Sequence, residues 1–312
     1  MMQVLARLRA SITRHADTGL CPTALPGVSV FSAAAPTGSV TDVMEPSVAI
    51  IAQGEKVTAV NRNSFTYGAG QYLIASIGLP VVGHITLASS SEPFQAVAFD
   101  LRPDRIASLL VETSPTIPPA PAVGIAVNDA SPKLLDAIAR LLALLDAPED
   151  VDALAPGIDR EILWRLLTGP QGSTVRQIGL VDSRLAHLSR AIQFIRRHYA
   201  RTLRVEELAD IAAMSVSSFH QHFRSLTSMT PIQFQKQIRL HEARARLLTD
   251  PRNVTGVGLA VGYDSPSQFS REYRRMFGVP PSRDTLTQAN VRNTPTDNAV
   301  THEDAHHSNA RG

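Results

Sequence analysis

No stretch constrains this chain more than Gly262 to Pro281, GYDSPSQFSREYRRMFGVPP. Phe269, Tyr273, Met276 and Phe277 recur there at steps of three and four, which gathers them on one face of a single helix and makes that face core. Asp264 or Ser265 supplies an N-cap, Pro266 fits the first turn, and Gly278 followed by Pro280 ends the helix. The outer face carries Ser267, Gln268, Arg271, Arg274 and Arg275, with Glu272 the one acidic residue. These residue types hydrogen-bond base edges and phosphates, the chemistry required of a helix lying in a major groove. A merely solvated helix more often mixes glutamate with lysine.

The same pattern occurs upstream. Leu203 to Ala213 reads as a short amphipathic helix with Val205, Leu208 and Ile211 inward, and a turn follows at Met214 and Ser215. Val216 to Leu226 then repeats the aromatic stripe with Phe219, Phe223 and Leu226, and shows Ser217, His220, Gln221 and Arg224 outward. Helix, tight turn and polar-faced helix form a helix-turn-helix. Between the copies, Thr230 to Leu248 predicts one helix with a Thr cap and Pro231 at its first position. At ~1.5 Å per residue it spans roughly 27 Å, near the ~34 Å between consecutive major-groove turns.

With Leu208-Ala209, Met214-Ser215 and Phe219 to Phe223 in the first copy, and Val261-Gly262-Tyr263, Ser267 to Ser270, Phe277-Gly278 and Pro281 in the second, this region resembles the AraC/XylS type of transcriptional regulators. The resemblance implies two helix-turn-helix units joined by a long helix, with base contacts from Ser217, His220, Gln221, Ser267, Gln268 and Arg271. Phosphate contacts fall to Arg224, Arg274 and Arg275. Two departures stand out. The helix opening the second unit contains Gly256 and Gly258, each worth about 1 kcal/mol of helix propensity relative to alanine, and the first recognition helix is poor in arginine.

Charge supports the division. The overall balance is +2, but residues 183–283 hold 16 Lys or Arg against 7 Asp or Glu, so +9, leaving 14 against 21, so −7, for the remainder. A basic segment of this kind is the footprint of a domain that displaces counterions from phosphates. One cysteine, Cys21, rules out an intrachain disulfide and a Cys-rich zinc site, and points to a reducing, cytoplasmic setting. No apolar run is long enough to span a membrane. The first fifteen residues read as an amphipathic packing helix through Val4, Leu5, Leu8 and Ile12, although their arginine-rich, acid-free makeup also resembles a transit peptide.

From Val28 to Leu101 the pattern becomes short apolar runs between turn residues: Val28 to Phe31, Val48 to Ala52, Lys56 to Val60, Gln71 to Ser76, His84 to Ala88 and Phe94 to Asp100. Strands at this spacing predict a barrel or sandwich. The order of Gln53-Gly54, Tyr67 to Leu73 and Leu79-Pro80 resembles the cupin-like N-terminal domain of one AraC-type subgroup, which senses or dimerises. Catalysis by a metal cupin needs several histidines, and His84 is alone in the strand region, so no metal, cofactor or enzymatic activity is expected. An unidentified small-molecule effector is the implied ligand, with Gln53, Tyr67, Tyr72, Ile74, His84 and Phe99 as candidate lining or core.

The expected architecture is therefore α+β: a cupin-like β-barrel sensing domain with flanking helices (1–122), a helical connector (123–182), an all-α double helix-turn-helix domain (183–284) and a disordered tail (285–312). The connector begins after the four prolines of SPTIPPAPAVG. Its helix from Ser131 to Asp146 carries an apolar stripe including Ile138 and Leu142, which either packs within the chain or pairs with a second copy to make a homodimer. A second connector helix is predicted from Pro156 to Leu167. The function expected is sequence-specific binding to double-stranded DNA to regulate transcription, by family habit activation with RNA polymerase as partner. The alternative is a regulator-like fusion with a cupin oxygenase or a DNA-repair alkyl acceptor. The first lacks its histidines, and Cys21-Pro22 offers no acceptor motif to the second.

Overall fold

In the computed structural model, which describes residues 1–118 and 120–284, contacts divide the chain into two compact units, Met1–His241 and a second beginning at Glu242. The expected tail, with His302, His306 and His307, lies outside the described residues.

The β region of the first unit is a pair of sheets. One has six strands: β1 (Gly19–Pro22), β2 (Val28–Ala33), β4 (Ser47–Gln53), β7 (Gln71–Ala75), β9 (Phe94–Asp100) and β10 (Ile125–Asp129), in the order β1-β2-β9-β4-β7-β10. The other has four: β3 (Val40–Met44), β5 (Glu55–Val60), β6 (Asn63–Gly68) and β8 (Leu79–Leu87), in the order β3-β8-β5-β6. All pairings are antiparallel. The expected barrel is thus realised as two sheets that do not join into one hydrogen-bonded ring.

The central strands β4, β7 and β9 of the six-stranded sheet are buried on both faces, so they lack the alternation that a half-solvated sheet would show. Val48, Ile50, Tyr72, Ile74, Val97 and Phe99 lie on the face that joins the large core with Leu8 and Ile12 of helix α1 (Met2–His15) and Leu135 and Ile138 of α3 (Pro132–Ala143). The intervening residues Ile51, Leu73, Ala75, Phe94 and Ala96 meet Tyr67 and Ile85 in a smaller core between the sheets. Of the expected lining residues, then, Tyr67 is enclosed between the sheets, whereas Tyr72, Ile74 and Phe99 pack under helices. His84 lies on the opposite side of β8 from Ile85. Gln53 is held by its bonds to Arg9 and to the Pro93 carbonyl, at 3.0 and 2.9 Å.

Burial pushes the Tyr67 hydroxyl up to about 12 against the opposing pull of its bond to Thr58, and burial alone pushes Tyr72 to about 12. With the folded values raised above the ordinary ~10, both rings stabilise the fold fully below pH ~10, and that contribution is lost as pH rises through about 12. An absorbance titration at alkaline pH should find Tyr67 and Tyr72 ionising about two units late and Tyr273 later than its usual value as well, together with loss of structure. Ordinary titration of all five tyrosines would contradict this burial.

Several expectations need correction. The proline-rich segment does not end the β domain, because the chain returns to it as β10, pairing Ile125 with Ala75 and Asp129 with Gln71. Strands β1, β3 and β6 were also not anticipated. Ile138 and Leu142 are 2% and 0% exposed, packed between α1 and α4 (Val151–Leu167), so this stripe is consumed within the chain and offers no dimer face. Helix α4 begins at Val151 and carries Pro156 within it, where the sequence predicts Pro156 at the start. Helices α2 (Pro103–Thr113) and α5 (Gly172–Gly179) complete the layer, and α5 lies in what the sequence reads as a connecting segment.

Candidate nucleic-acid interface

Two helix pairs share one local plan. In the first, α7 (Val205–Ile211) turns through Ala213, whose φ is +51°, with Met214 N–H donating to the Ala209 carbonyl at 2.9 Å. Helix α8 (Val216–Thr227) follows, capped by the Ser215 hydroxyl and closed by Ser228 at φ +60°. In the second, α10 (Val254–Ala260) turns through Gly262 at φ +93°, with Tyr263 N–H donating to the Gly258 carbonyl at 3.0 Å. Helix α11 (Pro266–Phe277) follows, capped by the Ser265 hydroxyl and closed by Gly278 at φ +80°. The left-handed turn residue, the carbonyl it brings into reach and the serine cap recur in the same order, with Asp264 as one extra residue in the second turn.

The same aromatic pair anchors each recognition helix. Phe219 and Phe223, and likewise Phe269 and Tyr273, are fully buried, with ring centroids 5.3 and 5.6 Å apart. Met276 and Phe277 are half-buried. The two glycines that weaken α10 on propensity have steric reasons. A Cβ on Gly258 would sit 2.9 Å from the Phe269 ring, and one on Gly256 would sit 2.2 Å from the Asn253 Oδ1 that caps the helix. Close seating of α11 on α10 therefore requires a residue without a side chain at 258.

The unit beginning at Glu242 is locked by a buried carboxylate. Asp284, whose side chain is 6% exposed, accepts from Arg244 Nε at 2.9 Å and from the Tyr273 hydroxyl at 2.7 Å. Arg244 also stacks over Phe277, 4.7 Å from the ring centroid. Burial first, and the bond to Asp284 second, raise the Tyr273 hydroxyl far above its usual value.

Each expected contact residue has a defined place. Ser217, His220, Gln221 and Arg224 are exposed along one stripe of α8; Ser267, Arg271, Arg274 and Arg275 are exposed on α11. Gln268 is half-buried and donates to Glu272 at 3.2 Å, while Glu272 also accepts from the Tyr263 hydroxyl at 2.8 Å. The one acidic residue of α11 is thereby turned into the fold and orients the Gln268 amide. None of Arg224, Arg271, Arg274 or Arg275 forms an ion pair among the described residues, so four guanidinium groups are available to anions. Superposing the helix starts matches Ser217 with Ser267, Gln221 with Arg271 and Arg224 with Arg274. It also matches Ser218 with Gln268, which makes Ser218 an equivalent position that periodicity alone did not single out.

Within the first unit, α8 is fastened to the β domain. The Gly124 backbone lies so close to α8 that a Cβ there would be 2.0 Å from the Leu226 carbonyl oxygen. Arg196 of α6 (Arg184–Arg197) pairs with Glu45 at 2.5 Å. Beside this pair a cavity of about 440 Å³ runs between Pro46, Ser76 and Gly78 of the β domain and Leu185, Ile192 and Arg196 of α6. No group of three or more His, Cys, Asp or Glu is gathered to hold a metal among the described residues, and no described helix is long and apolar enough to cross a membrane.

A family model described as the AraC-type transcriptional regulator N-terminus matches residues 24–174, and one described as a helix-turn-helix domain matches residues 208–285. The HTH-type transcriptional regulator ExsA of Pseudomonas aeruginosa is 26% identical over 77% of this chain and 85% of its own length. The XylDLEGF operon transcriptional activator 2 of Pseudomonas putida is 34% identical over 37% of this chain and 74% of its own. The HTH-type transcriptional activator RhaS of Escherichia fergusonii is 30% identical over 45% of this chain, which spans about half of that relative (49%). The structure of an apo ToxT variant from Vibrio cholerae shares the fold, with a TM-score of 0.54 over 85% of this chain and 99% of that one, at 10% identity.

Proposed function

Because the chain belongs to the AraC/XylS family of transcriptional regulators, we propose that it binds duplex DNA by laying α8 and α11 in consecutive major grooves, under control of its N-terminal β domain. The observation that carries this reading is the repeated helix-turn-helix whose outward faces hold unpaired arginines beside Ser, His and Gln. In this role Ser217, His220, Gln221, Ser267, Gln268 and Arg271 read base edges, and Arg224, Arg274 and Arg275 hold phosphates. Helix α9 (Pro231–Thr249) acts as the spacer, its start fixed by a capping box in which Thr230 and Gln233 bond each other's backbone N–H at 3.2 and 3.0 Å.

We take the chain as a non-catalytic, cytoplasmic activator that works on RNA polymerase, in line with the two relatives named as activators. A small-molecule effector is placed in the cavity between β domain and α6, since side chains such as Tyr67, Phe94 and Leu73 fill the space between the sheets.

Selection of bound oligonucleotides from a random pool tests the reading, and failure to enrich any sequence would refute it. On the enriched site, Arg271→Ala should cost about 1 to 3 kcal/mol and relax preference at one position. Arg274→Ala should weaken all sequences alike and lower the salt slope by about one. Gel shifts across a salt series check both, and identical behaviour of the two variants would remove the assigned roles.

A further inference from the structure

The DNA-facing stripe of α8 does not stop at the end of the helix. Ser217, Gln221 and Arg224 continue by helical spacing to Ser228, and there the β5–β6 turn is attached. Asn61 Nδ2 donates to the Ser228 carbonyl at 2.8 Å and Asn63 Nδ2 to the Ser228 hydroxyl at 2.9 Å. The first bond satisfies a carbonyl that the helix end leaves without a partner. Asn61 can turn the hairpin because asparagine tolerates its φ of +54°.

Between these two anchors Arg62 is exposed and forms no ion pair among the described residues. It lines a notch of about 470 Å³ together with Arg224, Ser228, Thr230 and Gln233. Two guanidinium groups share this notch, every side chain lining it can donate a hydrogen bond, and none is acidic. Two adjacent cations without a carboxylate repel each other until an anion stands between them. An oxygen-rich, doubly contacted anion such as a phosphodiester fits, and it is what arginine forks bind well.

We propose that the β5–β6 turn is a third DNA-contacting element, in which Arg62 of the regulatory domain and Arg224 of α8 clasp one backbone phosphate of the duplex. This rests on the reading of α8 as a DNA-contacting helix. It means that the N-terminal domain adds affinity to the complex directly, and that any shift of the β domain relative to α8 changes DNA binding without moving the recognition helix. A turn that shielded α8 from DNA would be expected to carry acidic residues against Arg224; this one carries Asn, Arg and Asn.

The test uses the full-length chain and the duplex that wild type enriches, with affinity measured by fluorescence anisotropy across a salt series and folding checked by thermal melting. Arg62→Ala should reduce the slope of log affinity against log salt, by at most the ~0.9 of one phosphate because Arg224 stays on the same group, and so weaken binding by up to about fivefold at 0.15 M salt, equally for selected and scrambled duplexes. Replacing Asn61 by glycine, which keeps the φ of +54° without strain, and Asn63 by alanine keeps the charge but frees the turn, and should produce part of the same loss with little change in melting temperature.

An unchanged slope in Arg62→Ala alongside a lowered slope in Arg224→Ala would overturn the proposal while leaving the DNA reading intact. Tighter binding by Arg62→Ala would also overturn it and make the turn a steric block. Loss of inorganic phosphate binding without a change in DNA slope would assign the notch to a free anion instead. If wild type enriches no duplex at all, the DNA reading itself fails, and this contact fails with it.

Discussion

Gly124→Ala is expected to destabilise the Met1–His241 unit by ~3 kcal/mol or more, lowering its melting temperature by roughly 6 to 12 °C. The methyl group would arrive 2.0 Å from the Leu226 carbonyl oxygen and 3.2 Å from a methyl of Leu79. Neither backbone can easily give way. On one side the Gly124 carbonyl accepts from Ser76 N–H at 3.0 Å and Ile125 is paired to Ala75; on the other, Leu226 belongs to the last turn of α8. Thermal melting followed by circular dichroism measures the shift, and a midpoint within one degree or so of wild type would show that the sheet and α8 are not pressed together as described.

Asp284→Ala should have a comparable effect on the second unit, about 3 kcal/mol, because it removes the buried acceptor side of a largely buried ion pair. Arg244 and the Tyr273 hydroxyl both direct hydrogen bonds at this carboxylate, and Tyr273 is one of the two aromatic anchors of α11. Hydrogen exchange should show α11 and α10 losing protection while the six-stranded sheet keeps its own. On a selected operator, the variant should lose its preference in one half of the site. Asp284→Asn retains an acceptor for Tyr273 without the negative charge and should fall between wild type and alanine. Unaltered protection of α11 in the alanine variant would count against the carboxylate as the lock.

The recognition helices were legible in the sequence because their signals are local. Ser265, Pro266 and Gly278 mark the limits of α11, and the spacing of Phe269 and Tyr273 gives its buried face. The β domain was only partly legible for a physical reason. Strands such as β4 and β7 are covered on both faces, so alternation carries no direction, and Tyr72, Ile74 and Phe99 look alike whether they face a cavity or a helix. Strand β6 is largely solvent-exposed and polar, β10 follows a proline-rich segment, and α5 is bounded by glycines, so each lacks the composition that marks its class. The bonds from Asn61 and Asn63 to Ser228 join residues 167 and 165 positions apart and leave no trace in local pattern. Conversely, Gly256 and Gly258 look like flaws by propensity and become necessary once the Asn253 cap and the Phe269 ring are in place.

Leu79 of the sheet, Leu185 and Ile192 of α6 and Leu226 of α8 belong to a single continuous apolar cluster, so the first reading head has no private foundation. An allele truncated ahead of Ser183 would strip that backing away and leave oily side chains of α6 in water, while Phe269 and Tyr273 would still find their own neighbours. Such a fragment would be prone to clump, and on a promoter it would hold one half of its footprint better than the other.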